Sequence, residues 1–216
     1  MRARDRSGDQ THVEKSPTAR RALLQAAQRL FADRGYRDAS VIDIVELAGA
    51  SVGTLYYHFG SKADLYLQTW ADFQAGQERR ASDAVEAART SGERNSHRLC
   101  LAGTRAYLSG AWDNRDFVRM TADGDTPPGF EGLARQFTRR WVGQDETLFG
   151  NGDPVTTRVL VAIVTDSIGG ICREVAACET QAEADAIIER ALDVFARIGQ
   201  PDGHGDAILS APSHHR

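Results

Sequence analysis

Several side chains that could contact nucleic acid fall within one short stretch of the chain. They are Thr54, Tyr56, Tyr57, His58 and Lys62. Hydroxyl, imidazole and ammonium groups can donate hydrogen bonds to phosphate oxygens, and short side chains on an exposed helix can reach base edges in the major groove. Residues of these types at this spacing indicate a helix that reads the major groove and is held there by phosphate contacts.

The stretch that must position these side chains is residues 40–62, whose pattern predicts two short helices joined by a tight turn. Ser40 can cap the first helix and Ser51 the second, because a serine hydroxyl accepts a hydrogen bond from an unpaired N–H of the first turn. Gly49 follows the first helix, where a left-handed residue ends a helix at little cost. Two capped helices around such a turn predict a helix-turn-helix.

Helices on both sides of this stretch are predicted to support it. Ser16, Pro17 and an apolar stripe ending at Gly35 predict a bracing helix over 16–34. Ser61 and Asp64 form the capping box of a long helix over 62–89, which would leave the head and enter the rest of the chain. A rigid connector of this kind could carry motion between the two parts.

The remainder of the chain repeats the helical apolar spacing and lacks the alternation typical of strands. We therefore predict an all-α protein of about nine helices, with a loop at 123–129 where two prolines forbid helix. The predicted domains are a disordered arm at 1–15, a three-helix head at 16–62, a helical body at 63–199 and a disordered tail at 200–216.

The residues of the head resemble those of the tetracycline-repressor (TetR/AcrR) family of bacterial regulators. The resemblance rests on SVGTLYYHFGSK at 51–62, on LFADRGY at 30–36 and on the helix between Ser40 and Gly49, and it covers roughly 18–66. It implies a ligand-responsive homodimer that binds a palindromic DNA operator, most simply a repressor released when a small-molecule effector binds the body. An activator with the same head is the alternative.

The resemblance also implies roles for individual residues. Contacts to backbone phosphates are expected from Ser40, Ser51, Tyr57, His58 and Lys62. Contacts to bases are expected from Val52, Gly53, Thr54 and Tyr56. Many relatives have a basic residue where this chain has Val52. We therefore expect apolar contact at that position, for example with a thymine methyl group.

The family layout further implies a ligand chamber and a dimer interface in the body, which makes 63–199 a ligand-binding and dimerisation domain. The candidate chamber residues are large aromatics, which could instead simply fill the core: Trp70, Phe73, Tyr107, Trp112, Phe117, Phe137 and Trp141. The last two helices, over 155–178 and 181–198, would pair with those of a second copy in a four-helix interface. The candidate interface residues are Ile163, Ile187, Ile188, Leu192 and Phe195.

The same sequence argues against a catalytic protein. The histidines are scattered, and neither a Ser-His-Asp order nor a metalloprotease or phosphate-loop motif is present. Three cysteines occur at no metal-ligand spacing, so we expect neither a metal nor a cofactor. An enzyme or carrier with an incidental head is the less favoured reading.

Charge and hydropathy agree with a DNA-binding head on a soluble body. Residues 1–62 carry a net charge of +3 and residues 63–216 a net charge of −7, which together give the −4 of the chain. A basic front end suits contact with phosphate. No apolar run approaches the roughly 20 residues that cross a bilayer, and no secretory signal is seen. We expect a cytoplasmic protein, bound to the bacterial nucleoid when it occupies its operator.

Overall fold

The computed structural model of the protein describes residues 17–122, 124–144 and 154–198. These residues form helices connected by short turns, and none of them lies in a strand. The helices are α1 Pro17–Asp38, α2 Val41–Ala48, α3 Val52–Phe59, α4 Lys62–Thr90, α5 Ser96–Asp113, α6 Arg115–Ala122, α7 Phe130–Gln144, α8 Pro154–Ala177 and α9 Gln181–Ile198. The predicted all-α fold is confirmed, with nine helices in the described ranges.

The first three helices pack around a common apolar core. Leu23, Ala27 and Phe31 of α1 are fully buried, and they pack with Ile44 of α2 and Leu55 of α3. The spacing of the three α1 residues places them on one face of a helix. This face holds α2 and α3 against α1, so that the opposite sides of α2 and α3 remain available to a partner.

The predicted end of the first helix is correct in position but incomplete. Gly35 adopts φ 79° and ψ 173°, which interrupts the helix, and helical backbone then continues to Asp38. A positive φ of this kind favours glycine, because a Cβ would crowd the backbone. The predicted cap at Ser16 lies outside the described residues, as do the predicted arm at 1–15 and tail at 200–216.

The long helix α4 links the two parts of the protein. Ser61 caps it by accepting a hydrogen bond from Asp64 N–H at 3.0 Å, and the Ser61 hydroxyl donates to the Asp64 carboxylate at 2.6 Å. Leu65 and Tyr66 at its start belong to the core of the head, while Gln77 and Ala81 farther along are buried against α5. A single helix therefore takes part in both packing regions, as the sequence predicted.

A second apolar core holds the body together. Leu108 of α5, Val175 of α8 and Ile188 of α9 are fully or almost fully buried in it. The helix α6 then joins this core to the head, because Val118 packs in the body while Phe117 packs with the head cluster. Head and body are thus connected by packing in addition to the covalent link through α4.

The short helix α6 is anchored at both ends by polar contacts. Arg119 donates to the carbonyls of Ala176 at 2.5 Å and Cys178 at 3.0 Å, so its guanidinium caps the C-terminal end of α8. A cation at this end of a helix satisfies carbonyls that have no partner within the helix and complements the helix dipole. At the other end, Gln28 of α1 donates to the side chain of Asn114 at 3.4 Å.

Candidate nucleic-acid interface

The helix α3 is fixed at both ends by local interactions. Ser51 accepts a hydrogen bond from Thr54 N–H at 3.1 Å, and Gly60, with φ 76°, follows the last turn. Leu55 and Phe59 are buried and hold the helix on the core. An N-cap serine of this kind stabilises a helix by about 1 kcal/mol. The inner face of α3 is therefore occupied by packing, and the outer face carries any contact with a partner.

The outer face of α3 exposes two tyrosines. Tyr57 is 63% exposed and Tyr56 is 48% exposed, which is unusual for residues of this size. Gly53 is also exposed, and Val52 and His58 are half-buried. The Tyr57 ring packs edge-on against the His58 ring, with 5.2 Å between their centroids. The tyrosine rings with their polar hydroxyls, next to a glycine that permits close approach, form a surface suited to a DNA groove.

The position of Thr54 differs from the sequence-based expectation. Its side chain is only 4% exposed, and its hydroxyl forms a 2.8 Å hydrogen bond with the Ser51 hydroxyl. Thr54 lies three positions after the N-cap residue Ser51, and its side chain turns inward to pair with the Ser51 hydroxyl. In this structure Thr54 therefore supports the start of α3, and its side chain lies on the buried side of the helix.

The start of α2 presents a second capped helix terminus. The hydroxyl of Ser40 accepts from Ile42 N–H at 3.0 Å and from Asp43 N–H at 3.3 Å. The carboxylate of Asp43 forms an ion pair with Arg34 of α1 at 2.5 Å. Backbone N–H groups at a helix N-terminus attract anions such as phosphate. Ser40 and Ser51 therefore mark two such termini in the head.

The ammonium group of Lys62 is occupied within the protein. It donates to the carbonyls of Tyr36 at 2.8 Å, Ala39 at 3.0 Å and Arg37 at 3.1 Å. It also lies 4.6 Å from the centroid of the Tyr36 ring. A lysine has three N–H donors, so these carbonyls account for all of them. In this structure Lys62 therefore caps the end of α1.

The body contains a cavity of about 250 Å³ between α4, α5, α6, α7 and α8. Four of the predicted chamber residues line it, namely Trp70, Phe73, Tyr107 and Phe137. Phe130, another of the aromatics in this part of the sequence, lines it too, and the remaining lining residues are Gln74, Gln77, Ala111, Val118, Thr121, Ala122, Ala134, Gly169, Cys172 and Arg173. The clustering of aromatics in the sequence located the cavity but gave no signal for its polar residues.

Two other predicted chamber residues lie elsewhere. Trp112 is buried, and Arg115 lies over its ring at 4.6 Å from the centroid. Phe117 packs against Phe73, with 5.2 Å between ring centroids, and faces a separate cleft between α1 and α6. Both rings fill the structure around the cavity without lining it. Trp141 lies in α7, where its side chain is outside the described part of the protein.

Burial in the body changes the acidity of two groups at the cavity. Desolvation raises the pKa of Cys172 to about 12, although the nearby Arg173 opposes this increase. Desolvation also raises the pKa of the Tyr107 phenol above its ordinary value, and the charges of Cys172 and Glu78 act in the same direction. Both groups are therefore neutral at physiological pH and contribute no negative charge to the cavity.

The predicted dimer interface needs a partial correction. Ile188 and Leu192 are almost fully buried in the core of their own protomer, so they cannot form a surface. Phe195 is buried as well, but it lies at the edge of an open groove of about 470 Å³. The groove is lined by Ser167, Ile171, Ile187, Arg190, Ala191, Val194, Phe195 and Ile198. Of the other two predicted residues, Ile187 lines this groove and Ile163 of α8 is half exposed, so sequence periodicity found the apolar helices but did not separate all inner from outer positions.

Exposed apolar residues continue beyond this groove along α8. Val155, Val159 and Ile163 are each at least half exposed, and Val194 of α9 is 47% exposed. Large aliphatic side chains at i, i+4 and i+8 form a stripe on one side of a helix. A stripe this long on the surface of one protomer is the usual mark of an interaction site.

The described residues contain neither a candidate metal site nor a candidate membrane-spanning helix. Within the ranges given above, no group of three histidine, cysteine or carboxylate side chains is placed to hold a metal ion. Among the helices in those ranges, none combines the length and apolar character needed to cross a membrane.

Residues 23–69 match the family model described as bacterial regulatory proteins, tetR family. Curated relatives include the transcriptional repressor KstR2 of Mycolicibacterium smegmatis, 45% identical over 26% of this chain and 28% of the relative. The transcriptional repressor AcnR of Corynebacterium glutamicum is 39% identical over 25% and 29%. The transcriptional activator FasR of M. smegmatis is 41% identical over 47% and 41%. The matches thus span less than half the length of these relatives.

Solved structures with the same fold cover much more of the chain. NalD, a secondary repressor of an efflux pump in Pseudomonas aeruginosa, matches 86% of this chain and 98% of its own with a TM-score of 0.62 and 19% identity. A transcriptional regulator from Rhodococcus matches 83% and 94% with a TM-score of 0.66 and 18% identity. At these identities the likeness establishes the arrangement of helices in the body and nothing about its ligand.

Proposed function

Because residues 23–69 match the tetR family of bacterial regulatory proteins, we propose that the chain is a transcriptional regulator of this family that binds operator DNA as a homodimer. The observation that carries this proposal is the outer face of α3, where Tyr56 and Tyr57 are exposed on a helix whose other face is fixed to the core. Such a helix can enter a major groove without any change in the head. Regulators of this kind act in the bacterial cytoplasm, where the operator lies.

The DNA contacts that we propose divide between phosphates and bases. Ser40 and Ser51 lie at helix N-termini that can receive phosphates, and Tyr57 and His58 supply side-chain donors beside them. Val52, Gly53 and Tyr56 are the residues that we propose to meet base edges. Thr54 and Lys62 are omitted from the proposed contacts because their polar groups are engaged inside the head.

Homodimerisation is proposed to use the outer faces of α8 and α9. The groove beside Ile187 and Val194 and the exposed stripe that ends at Ile163 are both formed by aliphatic residues of these two helices. Pairing this surface with its symmetry mate would bury its aliphatic side chains. The two copies of α3 could then address two half-sites of a palindrome.

The effector is proposed to bind in the cavity of the body and to alter the position of the heads. Two connections could transmit its effect. One is α4, whose Trp70 lines the cavity and whose Lys62 caps the end of α1. The other is the segment before α7, since Phe130 lines the cavity while Asp125 contacts the same end of α1. An effector shifts the heads only if it binds the low-affinity arrangement more tightly.

A repressor released by its effector is the simplest version of this function, and an activator with the same head is the alternative. Curated relatives of both kinds match the chain, so this choice depends on where the operator lies relative to its promoter. Measuring transcription from the natural promoter with and without the protein distinguishes them. A rise on removal of the protein supports repression, and a fall supports activation.

Selection of bound DNA from a random pool tests the proposal directly. The purified protein is expected to enrich one palindromic sequence with two half-sites, and the variant Tyr57→Ala is expected to enrich it much more weakly. Glu131→Ala changes an exposed residue of α7 outside the two helices of the proposed interface, so it serves as the matched control and should behave as the unaltered protein. Failure to enrich any sequence, or enrichment that Tyr57→Ala leaves unchanged, would contradict the proposed interface.

A further inference from the structure

We propose that the cavity of the body selects a compact aromatic monocarboxylate, held by its carboxylate to Arg173 and Gln74. This inference adds a ligand class to the proposed function and rests on it only in calling that ligand the effector. The combination that carries it is an aromatic enclosure with one cationic side chain and no anionic one among its described lining residues.

The apolar part of the cavity is built from rings that meet edge to face. Trp70 packs against Phe130 and against Phe137, each at 5.4 Å between centroids and at interplanar angles of 85° and 75°. Phe73 adds a third phenyl ring to the lining. Edge-to-face pairs leave ring faces and edges open to a further ring, so a flat aromatic group can extend the same arrangement.

The size of the cavity limits its occupant. Its volume of about 250 Å³ is below the roughly 300–1,000 Å³ of most small-molecule sites. Large polycyclic or long-chain effectors do not fit this space without movement of the helices. One or two fused rings with a single polar substituent do fit.

The polar end of the cavity has donors available for that substituent. Gln77 donates to the carbonyl of Tyr107 at 3.0 Å, and the Tyr107 hydroxyl donates to the Gln74 amide oxygen at 3.0 Å. Because the Gln74 oxygen is used as an acceptor, its N–H groups remain as donors toward the cavity. Gln74 is therefore suited to donate a hydrogen bond to a ligand oxygen, and not to accept one from a ligand donor.

Arg173 gives the cavity its charge preference. It is the one charged residue among the described lining residues, and it belongs to the exposed residues of α8, so it lies where the cavity opens to solvent. A guanidinium binds a carboxylate through two parallel hydrogen bonds, which a neutral amide cannot reproduce. The neutral Cys172 and Tyr107 add no negative charge to the cavity, and Glu78, whose charge acts on the Tyr107 phenol, is not among the lining residues. A monoanion is thus favoured over a neutral or cationic ligand of the same shape.

The test compares acids with their isosteric amides on the full-length protein in the absence of DNA. Phenylacetate, 2-naphthoate and 4-biphenylcarboxylate are titrated beside phenylacetamide, 2-naphthamide and 4-biphenylcarboxamide, with calorimetry and tryptophan fluorescence as readouts. We expect at least one acid to bind roughly tenfold or more tightly than its amide, the ratio typical of a hydrogen bond to a charged group. Equal affinities, or no binding of any acid at millimolar concentration, would overturn the proposal.

Substitutions then locate the source of the discrimination. Arg173→Gln should bring the ratio of acid affinity to amide affinity close to one, and Arg173→Lys should retain part of the preference for the acid. Arg79→Gln makes the same charge change on an exposed residue of α4 that does not line the cavity, so it should keep the full preference. If Arg173→Gln still prefers the acid over the amide, another group causes the preference and the inference is overturned.

Two further comparisons complete the design. Octanoate should bind more weakly than 2-naphthoate, and tighter binding of octanoate would reject the aromatic part of the proposal. Thermal unfolding of each variant without ligand confirms that the fold is retained. Because none of these measurements involves DNA, a negative result leaves the DNA selection unaffected, and a failed DNA selection leaves the ligand preference unaffected.

Discussion

The carboxylate of Asp125 accepts a hydrogen bond from the backbone N–H of Arg37 at 3.1 Å, and it forms an ion pair with the Arg37 guanidinium at 3.5 Å. It also lies against Gly35, where any Cβ would collide with its Oδ2 atom. The segment that precedes the cavity helix α7 is therefore in direct contact with the head at the end of α1. Asp125, in the loop before α7, and Lys62, at the start of α4, approach the same few residues.

The contact of Asp125 with Arg37 should contribute measurably to stability. Asp125→Ala removes the acceptor and the ion pair, so we expect the free energy of unfolding to fall by about 1 kcal/mol. Denaturant unfolding measures this change. Glu131→Ala removes an exposed carboxylate with only a helical ion pair at 3.3 Å, and its effect should stay within a few tenths of a kcal/mol. Equal effects of the two substitutions would show that the contact is not formed in solution.

Replacement of Lys62 distinguishes a helix cap from a phosphate contact. Lys62→Met removes three hydrogen bonds to the end of α1, and we expect it to lower the free energy of unfolding by about 2 kcal/mol. The slope of log affinity against log salt should stay the same, because a lost phosphate contact would reduce it by about one. A smaller slope with unchanged stability would return Lys62 to the set of phosphate contacts.

Thr54 and Tyr56 should respond differently to substitution. Thr54→Val removes the hydroxyl that pairs with Ser51, so we expect a loss of about 1 kcal/mol in stability and equal weakening on all operator variants. Tyr56→Phe removes an exposed hydroxyl and should change the preferred bases while leaving stability unchanged. Binding measured across a set of single-base operator variants separates these outcomes. A change in base preference caused by Thr54→Val would contradict its buried position.

The dimer surface can be tested with substitutions on opposite sides of the same helices. Ile163→Glu and Val194→Glu place charges on the exposed stripe, so they should yield folded monomers in sedimentation experiments. Leu192→Glu places a charge in the protomer core and should instead prevent stable folding. Dimers that persist with both surface substitutions would place the interface elsewhere.

The buried thiol of Cys172 predicts a loss of stability in alkali. The thiol loses its proton near pH 9 in the unfolded chain, whereas burial raises its pKa to about 12 in the folded protein. The contribution of this pKa difference to the free energy of unfolding is therefore complete below pH 9 and is lost as the pH rises through 12. Unfolding free energies measured between pH 8 and pH 11 should therefore decline less steeply in Cys172→Ala. The decline in unfolding free energy that remains in this variant comes from Tyr66 and Tyr107, whose pKa values are also raised by burial.

The local features of the head could be predicted because they depend on residues close together in sequence. Ser40, Ser51 and Ser61 cap the helices that follow them, and Gly49 adopts φ 62° at the end of α2. Each of these signals acts within one helical turn. Helical apolar spacing likewise predicted about nine helices, and the family resemblance added the expected ligand chamber and dimer interface in the body.

The errors arose where a role depends on contacts between distant elements. The position of Lys62 depends on the carbonyls at the end of α1, and Ile188 faces inward because α9 also packs on α5 and α8. Arg173 lies in an apolar stretch that gave no reason to single it out. A single sequence records the types of these residues, while their partners are set by tertiary packing.

The capping of α1 by Lys62 has a consequence for the construction of chimeric regulators. A fusion made just before α4, at the boundary of the predicted head, would take its lysine from one parent and the carbonyls that it caps from the other. Asp125 would meet a foreign α1 in the same way. Exchange of DNA specificity is therefore safer if only the outward residues of α3 are transplanted, so that the contacts at the end of α1 all come from one parent.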